Sequence, residues 1–161
     1  MSKLDVRILQ IDIARQKETV DFVKKYADFA KECGYNYLLL YLENAIRTKS
    51  TSFFSHDDTY SIEEMKEIVS YVEGIGLEVI PCFENLPHLE KFFEYPELQH
   101  LSELYDDKTL TRGYRSDRYG SEGCPSNPEL NKFLDNYFTE CMECFPNSEY
   151  VHMGLDEVLF A

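Results

Sequence analysis

The run Tyr37 to Leu42 (YLLLYL) constrains this chain more than any other stretch of it. An unbroken apolar run of that length, without alternation, reads as a strand covered on both faces. Such a strand needs helices on each side of its sheet, and helical patterns flank it. From Lys17 to Cys33, apolar Val20, Val23, Tyr26, Ala27 and Ala30 recur at helical spacing, and Gly34 stops the helix. Past a polar loop containing Ser50 to Thr59, Ser61-Ile62-Glu63-Glu64 fits a capping box, in which Ser61 and Glu64 satisfy each other's free amides. The helix it opens turns Met65, Ile68, Val69 and Val72 inward and ends near Gly74 and Gly76.

Three more strands complete the pattern. Val6 to Ile13 alternates apolar and polar residues, Leu77 to Phe83 is a second apolar run, and Tyr150 to Gly154 is the last strand. A short helical stretch around Leu89 to Phe93 follows the third strand. A long segment from Asp106 to Ser126 is then either functional or mobile, given its length. Asn127-Pro128-Glu129 supplies an N-cap, a first-turn proline and an acid matched to the helix dipole. Leu130, Phe133, Leu134, Tyr137, Phe138 and Cys141 form the apolar stripe of that helix. The order β-α-β-α-β-α-β implies parallel strands with right-handed crossovers, in a doubly wound sheet or a (β/α)8 barrel. No G-x-G-x-x-G follows the first strand, so a dinucleotide fold has little support.

Composition narrows the partners. A net charge of −14 argues against nucleic acid, which needs clustered Lys and Arg. No run approaches the ~20 apolar residues of a membrane span, and Met1 to Asp5 lacks the apolar core of a secretory signal. Five cysteines, an odd number, do not suggest a disulfide framework. Cys33 and Cys82 read as small buried hydrophobes, and Cys141 and Cys144 as core packing. A reduced, cytoplasmic protein is the expectation.

Polar and ionisable groups follow every strand: Arg15 after the first, Glu43 and Asn44 after the second, Glu84 and His88 after the third, Asp156 and Glu157 after the fourth. In a barrel, catalytic groups collect on that one rim. Adjacent carboxylates such as Asp156 and Glu157 push their pKa values apart, so one can hold a proton near neutral pH while the other stays ionised. Both reach one ligand only if the strand breaks there, and Gly154 just upstream permits a break. His56 and His100 read as solvent-exposed. No histidine and carboxylate grouping has metal-ligand spacing along the sequence, so no metal and no cofactor are expected.

The segment His152-Met153-Gly154-Leu155-Asp156-Glu157-Val158 closely matches the H-x-G-x-D-E-V signature of glycoside hydrolase family 20, the β-N-acetylhexosaminidases. Asp12-Ile13-Ala14-Arg15 resembles the family's first-strand D-x-x-R, and Val79-Ile80-Pro81 with His88 keeps its third-strand spacing. Leu86-Pro87-His88-Leu89-Glu90 and Gly123-Cys124-Pro125-Ser126 look most like the hexosaminidase D branch. The resemblance implies a parallel (β/α) TIM-barrel-type fold, with residues 1–161 forming a half-barrel of about four β/α units, the N-terminal half of the catalytic domain. It also implies removal of terminal β-linked N-acetylhexosamine, with the substrate's acetamido oxygen as nucleophile. Asp156 would orient that group and Glu157 would act as acid and base; Arg15 would bind sugar hydroxyls. His88 would tune Glu157, backed by Glu43 or, next in line, Asn44. His152 reads as a hydrogen-bonded histidine positioning the Asp-Glu turn.

Two departures from the family pattern stand out. Pro87 occupies a position where the family often has Gly. A full barrel typically needs ~250 residues, and the family's later strands bring tryptophans that this sequence lacks. The expectation is therefore a truncated portion with weak or no activity. Its open edges would self-associate, and Leu38, Leu40 and Val79 would be exposed on its inner face. The alternatives are a half-barrel that binds N-acetylhexosamine glycans without cleaving them, and a plain α/β interaction module.

Overall fold

The computed structural model describes residues 4–105 and 120–155. In chain order its elements are β1 (Ile8–Asp12), α1 (Val20–Glu32), β2 (Tyr37–Tyr41), β3 (Ile46–Arg47), β4 (Tyr60–Ser61), α2 (Ile62–Gly74), β5 (Glu78–Glu84), α3 (Glu90–Phe93), a 3-10 turn (Gln99–Leu101), α4 (Pro128–Met142) and β6 (His152–Gly154). The main sheet is four-stranded in the order β1-β2-β5-β6, and every pairing in it is parallel. Parallel neighbours joined through helices make this a (β/α) barrel-type fold, here half a barrel.

Local chemistry sets the helix ends. Thr19 caps α1 by accepting from the Phe22 amide at 3.1 Å, and Gly34, with φ of +84°, takes the left-handed turn after it. The capping box of α2 is complete: the Glu64 amide donates to Ser61 Oγ at 3.1 Å, and the Ser61 amide donates to Glu64 Oε2 at 2.8 Å. Asn127 caps α4 through the Glu129 amide at 2.9 Å, with Pro128 in the first turn.

The sheet's two faces differ sharply. Leu38, Leu40, Val79 and Phe83 turn toward the helices and pack with Val23, Ala27, Met65, Ile68, Leu134 and Tyr137 in the main core. Full burial of each large apolar side chain there is worth roughly 1.5–3 kcal/mol. The register places Gln10, Leu39 and Ile80 side by side on the opposite, inner face, with Asp12, Tyr41, Cys82 and His152 in the next row. Tyr37, Leu39, Ile80 and Cys82 form their own small cluster there, with Tyr41 against it.

Two expectations need correction. Leu38, Leu40 and Val79 are at most 2% exposed and belong to the helix side, not to an exposed inner face. A run apolar at every position carries no phase, so it does not reveal which alternate set faces inward. Cys33 is exposed; it is the C-cap of α1, past the last inward position at Ala30. The loop around Ser50 to Thr59 is flanked by the two-residue strands β3 and β4, which pair in parallel through Ile46 and Tyr60. Runs that short are below the reach of periodicity.

Cys82, Cys141 and Cys144 are buried, and all five cysteines are free thiols. Among the described residues no helix is long and apolar enough to cross a membrane. The outer edges of β1 and β6 are unpaired within the described sheet. Exposed apolar side chains gather near them: Leu4, Val6 and Ile8 on one side, Tyr150, Val151, Met153 and Leu155 on the other.

Candidate active site

The carboxyl ends of the strands carry a compact cluster of charged side chains. Asp12 closes β1 and its Oδ1 accepts from the Ala14 and Arg15 amides, each at 3.0 Å. This Asx-type turn redirects the chain and brings Arg15 over the neighbouring strand end. There the Arg15 guanidinium donates to Glu43 Oε1, lies 3.7 Å from Glu90 Oε1 and stands 5.7 Å above the Tyr41 ring. Tyr41 donates its hydroxyl proton to the same Glu43 oxygen at 3.0 Å.

Backbone strain marks the same place. Among the described residues the non-glycine positions with positive φ are Glu43, at 39°, and His88, at 56°. A side chain held in that region costs of order 1–3 kcal/mol and persists only where its surroundings over-determine it. For Glu43 the surroundings include Tyr137, whose hydroxyl donates to the carbonyls of Ile46 at 2.9 Å and Glu43 at 3.3 Å. For His88 they are two flanking backbone bonds at 2.8 Å, from Leu89 N to Ser121 O and from Gly123 N to Leu86 O. The left-handed turn falls on His88 itself, directly after Pro87.

Burial dominates the electrostatics. It pushes the Glu43 carboxyl up to about 7, against the pull of Arg15, so Glu43 titrates near neutrality. The Tyr41 hydroxyl is raised, first by burial and then by the neighbouring carboxylates Glu43 and Glu84. Burial also works against the Arg15 charge, but the attraction of Glu43, Tyr41 and Glu90 outweighs it and the pKa of Arg15 rises.

Glu43, His88 and Glu90 offer ligand-type atoms that all lie within 4.8 Å of one another. The absence of metal-ligand spacing along the sequence therefore does not carry over to space, because two loops far apart in the chain meet here. The chemistry of the group is mixed: Arg15 already donates to one member and sits beside another, and a fixed guanidinium competes directly with a cation. Glu90 and Tyr41 are the members that sequence reasoning did not assign. Glu90 lies two residues past His88, and Tyr41 shares the inner-face phase of Leu39; those were the available signals.

The structure thus brings together Arg15, Glu43 and His88, and buries Asn44 beside Glu43. His152 is on the inner face of β6, one row down, with Nδ1 3.0 Å from Cys82 Sγ. It lines a cleft of about 510 Å³ with Gln10, Tyr41, Cys82, Glu84, Met153 and Leu155. Asp156 and Glu157 lie outside the described residues. Gly154, two residues before Asp156, pairs in register with Glu84 at the carboxyl end of β5. His56 and His100 are exposed, as expected.

Comparison with known proteins follows the same outline. The sequence profile of the glycosyl hydrolase family 20 catalytic domain matches residues 36–161. A β-hexosaminidase of Akkermansia muciniphila is 28% identical over 94% of this chain and 34% of its own length. Hexosaminidase D of Bos taurus is 22% identical over 96% of this chain and 42% of its own. The crystal structure of a β-N-acetylhexosaminidase from Bacteroides fragilis superposes with a TM-score of 0.76 at 26% identity, covering 99% of this chain and 33% of that one. The chain spans 33% to 42% of the length of these relatives.

Proposed function

Because the chain belongs to glycosyl hydrolase family 20, we propose that it serves the removal of terminal β-linked N-acetylhexosamine from glycans or glycosides. The observation that carries this reading is the rim cluster. Arg15, Glu43, His88 and Glu90 converge at the carboxyl ends of the strands, with two of the four held in a strained backbone conformation. A costly, over-determined arrangement of charged groups at that end of a barrel-type sheet is the mark of a functional site, and it supports this reading.

In the proposed mechanism the sugar's acetamido oxygen attacks the anomeric carbon, and the bond from that carbon to the glycosidic oxygen breaks. Glu157 gives its proton to the departing oxygen. Asp156 orients the acetamido group and balances the positive charge of the oxazolinium intermediate. Water then adds to the anomeric carbon as the bond from that carbon to the acetamido oxygen breaks, its proton passes to Glu157, and the configuration is retained. Arg15 binds sugar hydroxyls through fixed donors. His88, beside Glu43, orients and tunes Glu157, and His152 supports the turn that carries the acid pair. The open edges of β1 and β6, with their exposed apolar neighbours, support self-association of this chain.

The test is release of chromophore from aryl N-acetyl-β-glucosaminide and galactosaminide. Turnover that vanishes in Asp156→Asn and Glu157→Gln, and that fails on an aryl β-glucoside lacking the acetamido group, supports the reading. Sugar-dependent thermal stabilisation without turnover would instead support binding without cleavage. Indifference of the chain and both variants to every sugar would leave only an interaction module.

A further inference from the structure

The Glu84 carboxyl group fills the space where a side chain on Gly154 would begin. They are register partners on the inner face of neighbouring parallel strands, and Glu84 is 1% exposed. A Cβ built on Gly154 would fall inside van der Waals contact of the Glu84 carboxyl group, with both oxygens and the carboxyl carbon as its nearest neighbours. Gly154 is not among the glycines with positive φ. It is therefore required for room, not for conformation. One row below, Cys82 Sγ sits 3.0 Å from His152 Nδ1 and 3.8 Å from Glu84 Oε1, so β5 meets β6 at two successive inner-face levels.

We propose that Glu84 is a positioning residue for the hydrolysis: its carboxyl group, packed against the backbone of Gly154, fixes the end of β6, from which the chain continues to Asp156 and Glu157. This rests on the function proposed above. The physical need is clear. An acid that must reach a glycosidic oxygen tolerates little misplacement, and a shift of about 1 Å can cost on the order of a hundredfold in rate. β6 is only three residues long, so its own ladder holds the strand end weakly. A buried side chain from the longer β5 provides the missing constraint.

Steric interlock has a distinctive signature in double mutants. Gly154→Ala is expected to lower both Tm and kcat. Adding Glu84→Ala should restore much of the lost Tm, whereas adding Glu84→Gln, which keeps the bulk, should restore none. In the Gly154 background, Glu84→Ala should lower kcat at least about tenfold with KM within about threefold, and Glu84→Gln should retain more activity than Glu84→Ala. Additive Tm changes in both double mutants would overturn the interlock, whatever the activity of the chain. A non-additive Tm pattern with kcat untouched by Glu84→Ala would leave the interlock but overturn the positioning role. Lack of turnover by the unmodified chain would overturn the proposed function and with it the positioning role, while the interlock would still stand or fall on the Tm arm, which needs no substrate. Should Gly154→Ala fail to fold, recovery of folding by the Glu84→Ala double mutant supports the interlock and its failure opposes it.

Discussion

The two faces of the main sheet are built from the same four strands and obey opposite rules. On the helix side, Leu38, Leu40, Leu42, Val79 and Phe83 are sealed in one continuous apolar core. On the inner side, the rows climb from the small Tyr37-Leu39-Ile80-Cys82 cluster through Tyr41 and His152 to the charged rim of Arg15, Glu43 and His88. One face secures the fold; the other spends some of that stability on strained backbone and a carboxyl pushed out of its usual range. Because strand side chains alternate, the two roles are separated by a single residue step, and mutations one position apart should report on different properties.

The largest expected effect tests that separation. Leu40→Ala should cost about 2–5 kcal/mol in a denaturant titration, the usual range for a fully buried leucine in a closed core. Leu39→Ala, in the smaller inner cluster, should fall below that range. Equal losses would erase the distinction between the faces.

Glu43 gives the next effect, of order 3 kcal/mol if the whole shift between an ordinary carboxyl and about 7 enters the folding equilibrium. Its folded-state pKa is raised, so the native state binds the extra proton. The contribution to stability is in place below about 4.5 and is lost as pH rises through about 7. Glu43→Gln should flatten the decline in stability across that window, measured by unfolding at several pH values. An unchanged pH slope would show that Glu43 is ionised throughout. The smallest effect belongs to the helix side: Ser61→Ala removes the α2 capping box at a cost of about 1 kcal/mol and should leave any sugar response intact.

Much of this organisation was legible in the sequence, for identifiable reasons. The α2 stripe of Met65, Ile68, Val69 and Val72 is buried as its spacing dictates, and local signals such as Ser61, Asn127 and Gly34 set helix ends without help from the tertiary fold. Gathering of Arg15, Glu43 and His88 followed from parallel topology alone, which sends every strand's carboxyl end to one rim. What stayed hidden depended on phase or distance. YLLLYL is apolar on both faces, so its inward set could not be told apart. Glu90 and Tyr41 join the cluster only because Arg15 folds back over β2 and the His88 loop returns toward it. The crowding of Glu84 on Gly154 depends on strand register, which one-dimensional patterns do not encode.

The central claim is that the Arg15-Glu43-His88-Glu90 rim is the site of sugar recognition. Titration of N-acetylglucosamine and N-acetylgalactosamine into the chain, followed by calorimetry or chemical-shift change, tests it directly. The account predicts saturable binding that is abolished by Arg15→Ala and preserved in Ser61→Ala. Binding that survives Arg15→Ala undiminished, or no binding of either sugar, would contradict it.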